Sequence, residues 1–106
     1  MISNIDEKIL IIMENLENFI NCRIKKGDQV EILPNVNCSK FPEYSISGWN
    51  GRVESVLVEH KLVKIAYDEW TLKNIIPQKY KDLFEFNNFV YKSVILPINQ
   101  IKKINI

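Results

Sequence analysis

The residues whose types could perform chemistry are few in this chain and lie far apart. It has one histidine, His60, and two cysteines, Cys22 and Cys38. Cysteine catalysis needs a base within hydrogen-bond reach of the thiol, and His60 lies in a predicted hairpin turn with no cysteine beside it in sequence. These residues also lack the paired Cys-x-x-Cys spacing and the four ligands of a structural zinc site. We therefore expect no catalytic residue, no metal site and no cofactor, and we expect that the protein is not an enzyme.

Neighbouring carboxylates are the other candidates for acid and base chemistry. Asp68 and Glu69 are adjacent, so in a strand their side chains would point to opposite faces and could not share a proton. Asp82 and Glu85 are three residues apart, which is typical of the solvated side of a short helix. Both pairs indicate charged surface.

The composition indicates one globular domain without a charge bias. Its 106 residues carry 14 basic and 13 acidic side chains, so no global field would draw the protein to nucleic acid or to an acidic membrane. Two cysteines are too few for a disulfide framework, and the longest apolar run, residues 9–13, is too short to span a bilayer. The first residues lack the basic region of a secretory signal. We predict a cytoplasmic protein with no membrane partner.

An amphipathic helix is predicted over residues 5–22. Asn4 and Glu7 have the spacing of a capping box, and apolar residues then recur at steps of three and four. The apolar face packs on the rest of the protein, or it forms a homodimer or captures a partner helix.

The rest of the chain is predicted to be rich in short strands. The step of three between Val53 and Val56 breaks the alternation of a hairpin and predicts a bulge near Glu54 and Ser55. Thr71 is predicted to cap a short turn. Pro77 suits the first position of a helix that runs to about Phe86. The predicted strands cover residues 29–33, 49–59, 62–67, 91–96 and 101–106.

Glycines mark the start of this region and resemble a known pattern. Lys26, Gly27 and Asp28 precede the first strand, and the sequence from Gly48 to Val53, Gly-Trp-Asn-Gly-Arg-Val, precedes the hairpin. Residues 25–67 resemble the SH3-like barrels of the KOW and Tudor-like type. Residues 68–80 are similar to an element of small bacterial SH3-like proteins that form an uncharacterised group.

The resemblance implies a mainly β fold with some α structure. We expect an SH3-like small barrel that is preceded by the N-terminal amphipathic helix and has a short helix inserted before its last strands. The whole chain, residues 1–106, would then be a single domain, with the helix at residues 5–22 and the barrel at residues 26–106.

Aromatic residues beside loops are the best candidates for a binding site, because SH3-like folds commonly bind through aromatic clusters between loops. The alternative is that Trp49 and Trp70 close the ends of the barrel. If the rings converge, Asp68 or Glu69 would complete a methyl-lysine cage of the Tudor-like kind. The predicted partner-binding residues are Phe41, Tyr44, Trp49, Asp68, Glu69 and Trp70.

These expectations favour a non-enzymatic protein–protein interaction module, whose partner is an unidentified protein. Its small size and its lack of catalytic or metal-binding residues also suit an inhibitor or immunity-type protein that occupies the surface of its partner. The alternative is a KOW-like protein that binds RNA or DNA. That function would require Lys40, Arg52 and Lys61 to gather beside Trp49 and Tyr44.

Overall fold

The structure is a computed structural model that describes residues 24–104. The helix predicted over residues 5–22, the homodimer contact through it and Cys22 lie outside the described residues. Between residues 24 and 104 the chain forms five strands and two helices, which confirms a mainly β fold with a helical insertion before the last strands. In chain order the elements are β1 (Gln29–Ile32), β2 (Asn50–Leu57), β3 (Leu62–Tyr67), α1 (Glu69–Asn74), α2 (Gln78–Phe86), β4 (Ser93–Pro97) and β5 (Ile101–Lys103).

The five strands form one antiparallel sheet in the order β4-β3-β2-β1-β5. The first three strands follow each other as a meander, and β4 pairs with β3 after the two helices. The last strand, β5, then pairs with β1 at the opposite edge of the sheet, where Ile101 lies opposite Ile32. A three-residue 3₁₀ turn, Ile98–Gln100, connects β4 to β5.

The predicted bulge is confirmed in the β2–β3 hairpin. Val53 pairs with Ile65 and Ser55 pairs with Lys64, so one residue of β2 has no opposite number in β3. The extra residue shifts the alternation of β2. Val53 is therefore buried, and Val56 also packs against the core although the two are three residues apart.

The core lies between one face of this sheet and α2. Alternate residues of β1 and β3 are buried, as a strand with one solvated face requires. Pro77 is the N-cap residue of α2, so the helix begins one residue after the predicted start, and Tyr80 and Phe84 point from this helix into the core. The fully buried side chains are Tyr80, Ile32, Ile46, Ile65, Val30, Val53, Val63 and Thr71.

The predicted turn after β3 is a helix with a different start. Asp68 occupies the N-cap position of α1, and its side chain makes no capping hydrogen bond. Thr71 lies inside the helix and is buried, so its predicted role as a cap is wrong. The physical reason is that the helix begins directly after β3. Asp68, the first residue after the strand, therefore takes the N-cap position, and Thr71 lies within the helix.

Candidate functional site

Trp49 was predicted to contact a partner, and the structure places it in the core instead. Only 6% of the residue is exposed. Its ring packs edge-on against the rings of Tyr67, at 5.3 Å between centroids, and Tyr80, at 5.2 Å. Trp49 directly precedes β2 and shares the inward side with Gly51 and Val53, which explains its burial. Its ring is therefore not available to a partner.

The two other aromatic residues of the predicted binding loop are half-buried. Phe41 packs edge-on against Phe84, at 5.2 Å between ring centroids, and Tyr44 packs edge-on against Tyr80, at 5.4 Å. An isolated bridge between Asn37 and Ser45 holds the loop in shape. The loop therefore packs against α2, and both rings stay partly exposed.

Trp70 differs from Trp49 because 63% of the residue is exposed. It lies in the first turn of α1, and exposed Glu69 and Ile75 lie close to it in sequence. Asp68, which also belongs to the predicted partner-binding residues, is partly buried. A tryptophan buries much of its area in most folded proteins, so a mostly exposed ring is informative. We refer to the three consecutive residues Asp68, Glu69 and Trp70 as the Trp70 surface.

The helix that carries Trp70 is fixed to the sheet at its start and in its centre. The side-chain amide of Gln29 on β1 donates a hydrogen bond to the Asp68 carboxylate, and the Asp68 N–H donates to the carbonyl oxygen of Asn50 on β2. Thr71 is buried beneath the helix. Because the backbone is held on both sides of Trp70, a partner would meet a tryptophan whose backbone is already positioned, which lowers the entropy cost of binding.

The lysines and the arginine predicted for a nucleic-acid contact do not gather at one place. Arg52 lies near the start of β2, whereas Lys61 follows the far end of that strand, so five strand residues at ~3.3 Å each separate their regions by roughly 16 Å. Lys40 lies in the loop, with its Nζ 3.6 Å from the centroid of the Phe89 ring. Of the two rings expected to stack on bases beside these residues, Trp49 is buried and Tyr44 is half-buried.

A thiol and two phenols meet in the core. The Tyr80 hydroxyl donates a hydrogen bond of 3.6 Å to the Cys38 sulfur, whereas the buried Tyr67 hydroxyl has no hydrogen-bond partner in the described part of the chain. Burial raises the pKa of both Tyr67 and Tyr80 far above the usual tyrosine range, and the nearby Cys38 raises it further. Both phenols are therefore neutral at physiological pH, and the three residues have the character of a structural cluster.

The substitution Tyr67→Phe is expected to stabilise the protein by about 1 kcal/mol, because it removes a buried hydroxyl that gains no hydrogen bond on folding. Burial raises the pKa of Tyr67 in the folded state, so below the unfolded value of about 10 the phenol is neutral in both states and its ionisation does not affect stability. As the pH rises above about 10, the unfolded chain loses this proton first, and the stability of the folded state falls. Above about pH 10 the stability of the Tyr67→Phe variant should therefore fall less steeply than that of the unsubstituted protein. Urea unfolding at pH 7 and pH 11 measures both effects, and an equal loss of stability in the two proteins would contradict the second.

A cleft of about 370 Å³ lies between the loop that follows β1 and the strand β4. Ile95 and Val90 in its lining are exposed apolar residues, and Lys40 and Lys64 add positive charge. The sequence interpretation did not include this cleft. One signal was present: Val94 and Leu96 alternate inward on β4, so Ile95 between them had to face outward.

Residues 24–104 contain no group of three or more histidine, cysteine, aspartate or glutamate side chains that could hold a metal ion. None of the helices in this part of the chain is both long and apolar enough to cross a membrane.

Comparisons with protein-family models, curated proteins and solved structures found no match to this chain.

Proposed function

We propose that this chain is a non-enzymatic protein-binding module, built on an SH3-like barrel, that contacts its partner through the Trp70 surface. The single observation that carries the proposal is the exposure of Trp70 on a helix that is fixed to the sheet. Rigid aromatic side chains of this kind dominate the binding energy of many protein interfaces.

The connection between the last two strands supports the barrel. The strands β4 and β5 are at opposite edges of the sheet, so in a flat sheet four spacings of ~4.8 Å would separate them by about 19 Å. Only three residues lie between Pro97 and Ile101, and four virtual bonds of at most ~3.6 Å reach about 14 Å. The two edges must approach each other at this end, as they do in a strongly bent sheet. The bulge in β2 supplies a place for such a bend.

The size of the exposed ring supports a substantial contribution to binding. Burial of a tryptophan side chain removes on the order of 150–250 Å² from water, and a well-packed aromatic residue at an interface contributes about 2 kcal/mol or more. The charged neighbours Glu69 and Lys73 pair at 3.2 Å on the solvent side, so they suit the polar rim of an interface. An inhibitor or immunity-type protein would use such a surface to cover part of an enzyme.

The experiment that tests the proposed function is capture of partners on the immobilised full chain from a lysate of the organism that encodes it. The lysate is divided, and one half is treated with nuclease before capture. We expect one dominant protein, identified by mass spectrometry, in equal amounts from both halves.

Loss of all bound protein after nuclease treatment would favour the nucleic-acid alternative and overturn the proposal. In that case binding to pooled oligonucleotides should weaken steeply with added salt, because lysine contacts to phosphates release counterions. Recovery of no protein from either half would also count against the proposal.

A further inference from the structure

The strand β4 is an open edge of the sheet among residues 24–104, because it pairs only with β3. The Tyr67 N–H donates to the Lys92 carbonyl at 2.9 Å, and the Ile98 N–H donates to the Lys61 carbonyl at 2.8 Å. Backbone groups alternate in direction along an antiparallel strand. Those of Val94 therefore face β3, and those of Ser93 and Ile95 face away from it.

The cleft runs along this open edge. Ser93, Val94 and Ile95 all line it, although successive side chains of a strand point to opposite faces. A cleft that touches three consecutive strand residues must therefore pass the edge of the strand. On the other side the cleft is lined by three more consecutive residues, 38–40, and Tyr80 and Phe84 of the core also contribute to its lining.

The two edges of the sheet differ in their protection against pairing. The opposite edge strand, β5, has only three residues, and its Lys102 and Lys103 form ion pairs with Glu31 and Asp28. Short length and charged lysines are common means of keeping another strand away. The strand β4 instead carries the apolar Ile95, which is 55% exposed, and only Pro97 at its end lacks an N–H.

The charges at the cleft favour an acidic ligand. Lys64 is already paired with Glu54 at 3.4 Å, whereas Lys40 lies over the Phe89 ring and forms no ion pair with any residue between 24 and 104. A carboxylate beside Lys40 would complete a charge pair at the entrance of a mostly apolar cleft. A lipid surface would match the charge and the apolar residues but would leave the outward backbone groups of β4 without partners.

We propose that the edge of β4 and the adjoining cleft bind an extended segment of another protein as an added strand. The segment has apolar residues at alternate positions, which enter the cleft, and an acidic residue that pairs with Lys40. Its backbone pairs with Ser93 and Ile95 and ends at Pro97. This site goes beyond the proposed function, because none of the residues that line the cleft belongs to the Trp70 surface. Either site can therefore fail in experiment without the other.

The probe is a phage-displayed library of random 12-residue peptides, selected on the immobilised full chain. We expect enriched peptides that alternate apolar and polar residues and carry at least one acidic residue. The substitution Ile95→Asp should weaken their binding at least about tenfold, and Lys40→Ala about threefold at low salt. The matched control is Val58→Asp. Val58 is an exposed β-branched residue like Ile95 but lies outside the cleft, so this substitution should leave binding unchanged.

A second measurement uses the unsubstituted chain, so it does not depend on how the variants fold. The backbone amides of Ser93 and Ile95 should exchange quickly with solvent in the free protein and become protected when a synthetic peptide from the selection is added. The same peptide with its pairing amides N-methylated should not bind.

Four results of the peptide and exchange measurements would each overturn this proposal. They are no enrichment, equal binding to Ile95→Asp, equal binding of the N-methylated peptide, or slow exchange of both amides in the free chain. The last result would show that another part of this chain already covers the edge. Binding to vesicles of anionic phospholipid in place of the peptides would equally overturn the proposal and would assign the cleft to a membrane surface.

Discussion

Gly51→Ala is expected to lower the free energy of unfolding by about 3 kcal/mol, the upper part of the range for forced overpacking. A Cβ atom at this position would lie 2.5 Å from the Ala66 carbonyl oxygen and 2.5 Å from Cγ2 of Ile65. The oxygen belongs to the backbone of β3, which is paired with β2 on one side and β4 on the other, so it cannot move alone. For a domain of this size the midpoint of thermal unfolding should fall by about 12 to 24 °C.

Gly48→Asn is the matched control for this prediction. Gly48 has a φ of +80°, and no atom outside its two chain neighbours lies within 4 Å of the position of an added Cβ. Asparagine tolerates the left-handed conformation better than most residues, so the loss should be no more than about 1 kcal/mol. Thermal unfolding of both variants separates steric overlap from backbone strain. A Gly51→Ala protein as stable as Gly48→Asn would show that β2 and β3 do not approach this closely.

Tyr80→Ala is expected to lower the free energy of unfolding by about 4 kcal/mol, as truncations of large buried rings do. Tyr80 is 2% exposed and stacks on Phe84 with 4.4 Å between ring centroids. The rings of Trp49 and Tyr44 also pack edge-on against it. Removal of this ring would leave a cavity between α2, the loop and the sheet. Urea unfolding monitored by circular dichroism gives the free energy directly.

Tyr80→Phe keeps the ring and isolates the contribution of the hydroxyl. The variant loses only the 3.6 Å hydrogen bond to the Cys38 sulfur, so it should lose no more than about 1 kcal/mol. If Tyr80→Phe were as unstable as Tyr80→Ala, the hydroxyl would be the dominant contribution and the packing explanation would be contradicted.

Local patterns predicted the strands and the second helix well, because those patterns are set by neighbouring residues. The alternation around Val53 and its break before Val56 indicated a bulge, and the β2–β3 register contains one. Pro77 fixed the start of α2 because its ring suits a helix start and no N–H is needed there. The residues from Asp68 to Asn74 were more difficult, because a six-residue helix contains too few positions for a clear periodicity.

The candidate site was only partly predictable, because exposure depends on contacts between distant parts of the chain. Trp49 and Trp70 are the same residue type beside predicted loops, yet one is buried and the other is exposed. Trp49 is two residues before Gly51 and four before Val53, so the alternation in the sequence could have placed it inward. No such alternation predicts that Trp70 is exposed. Its exposure follows from the packing of α1 on the sheet, which buries the neighbouring Thr71 and leaves Trp70 in solvent.

The cleft was missed for a related reason. Its two sides come from residues 38–40 and residues 93–95, which are more than fifty positions apart and meet only because α2 packs beneath the loop. Sequence periodicity indicates that Ile95 faces outward, but it does not indicate what lies beside it.

The most direct test of the proposed function compares Trp70→Ala with Phe86→Ala in binding to the protein that the full chain captures. Phe86 is 87% exposed at the end of α2 and lies outside both the Trp70 surface and the cleft lining, so its removal controls for the loss of an exposed aromatic ring. We expect Trp70→Ala to raise the Kd of the complex by roughly thirtyfold, which corresponds to about 2 kcal/mol, and Phe86→Ala to leave it unchanged. Equal affinity of Trp70→Ala and the unsubstituted protein would contradict the assignment of the Trp70 surface as the binding site.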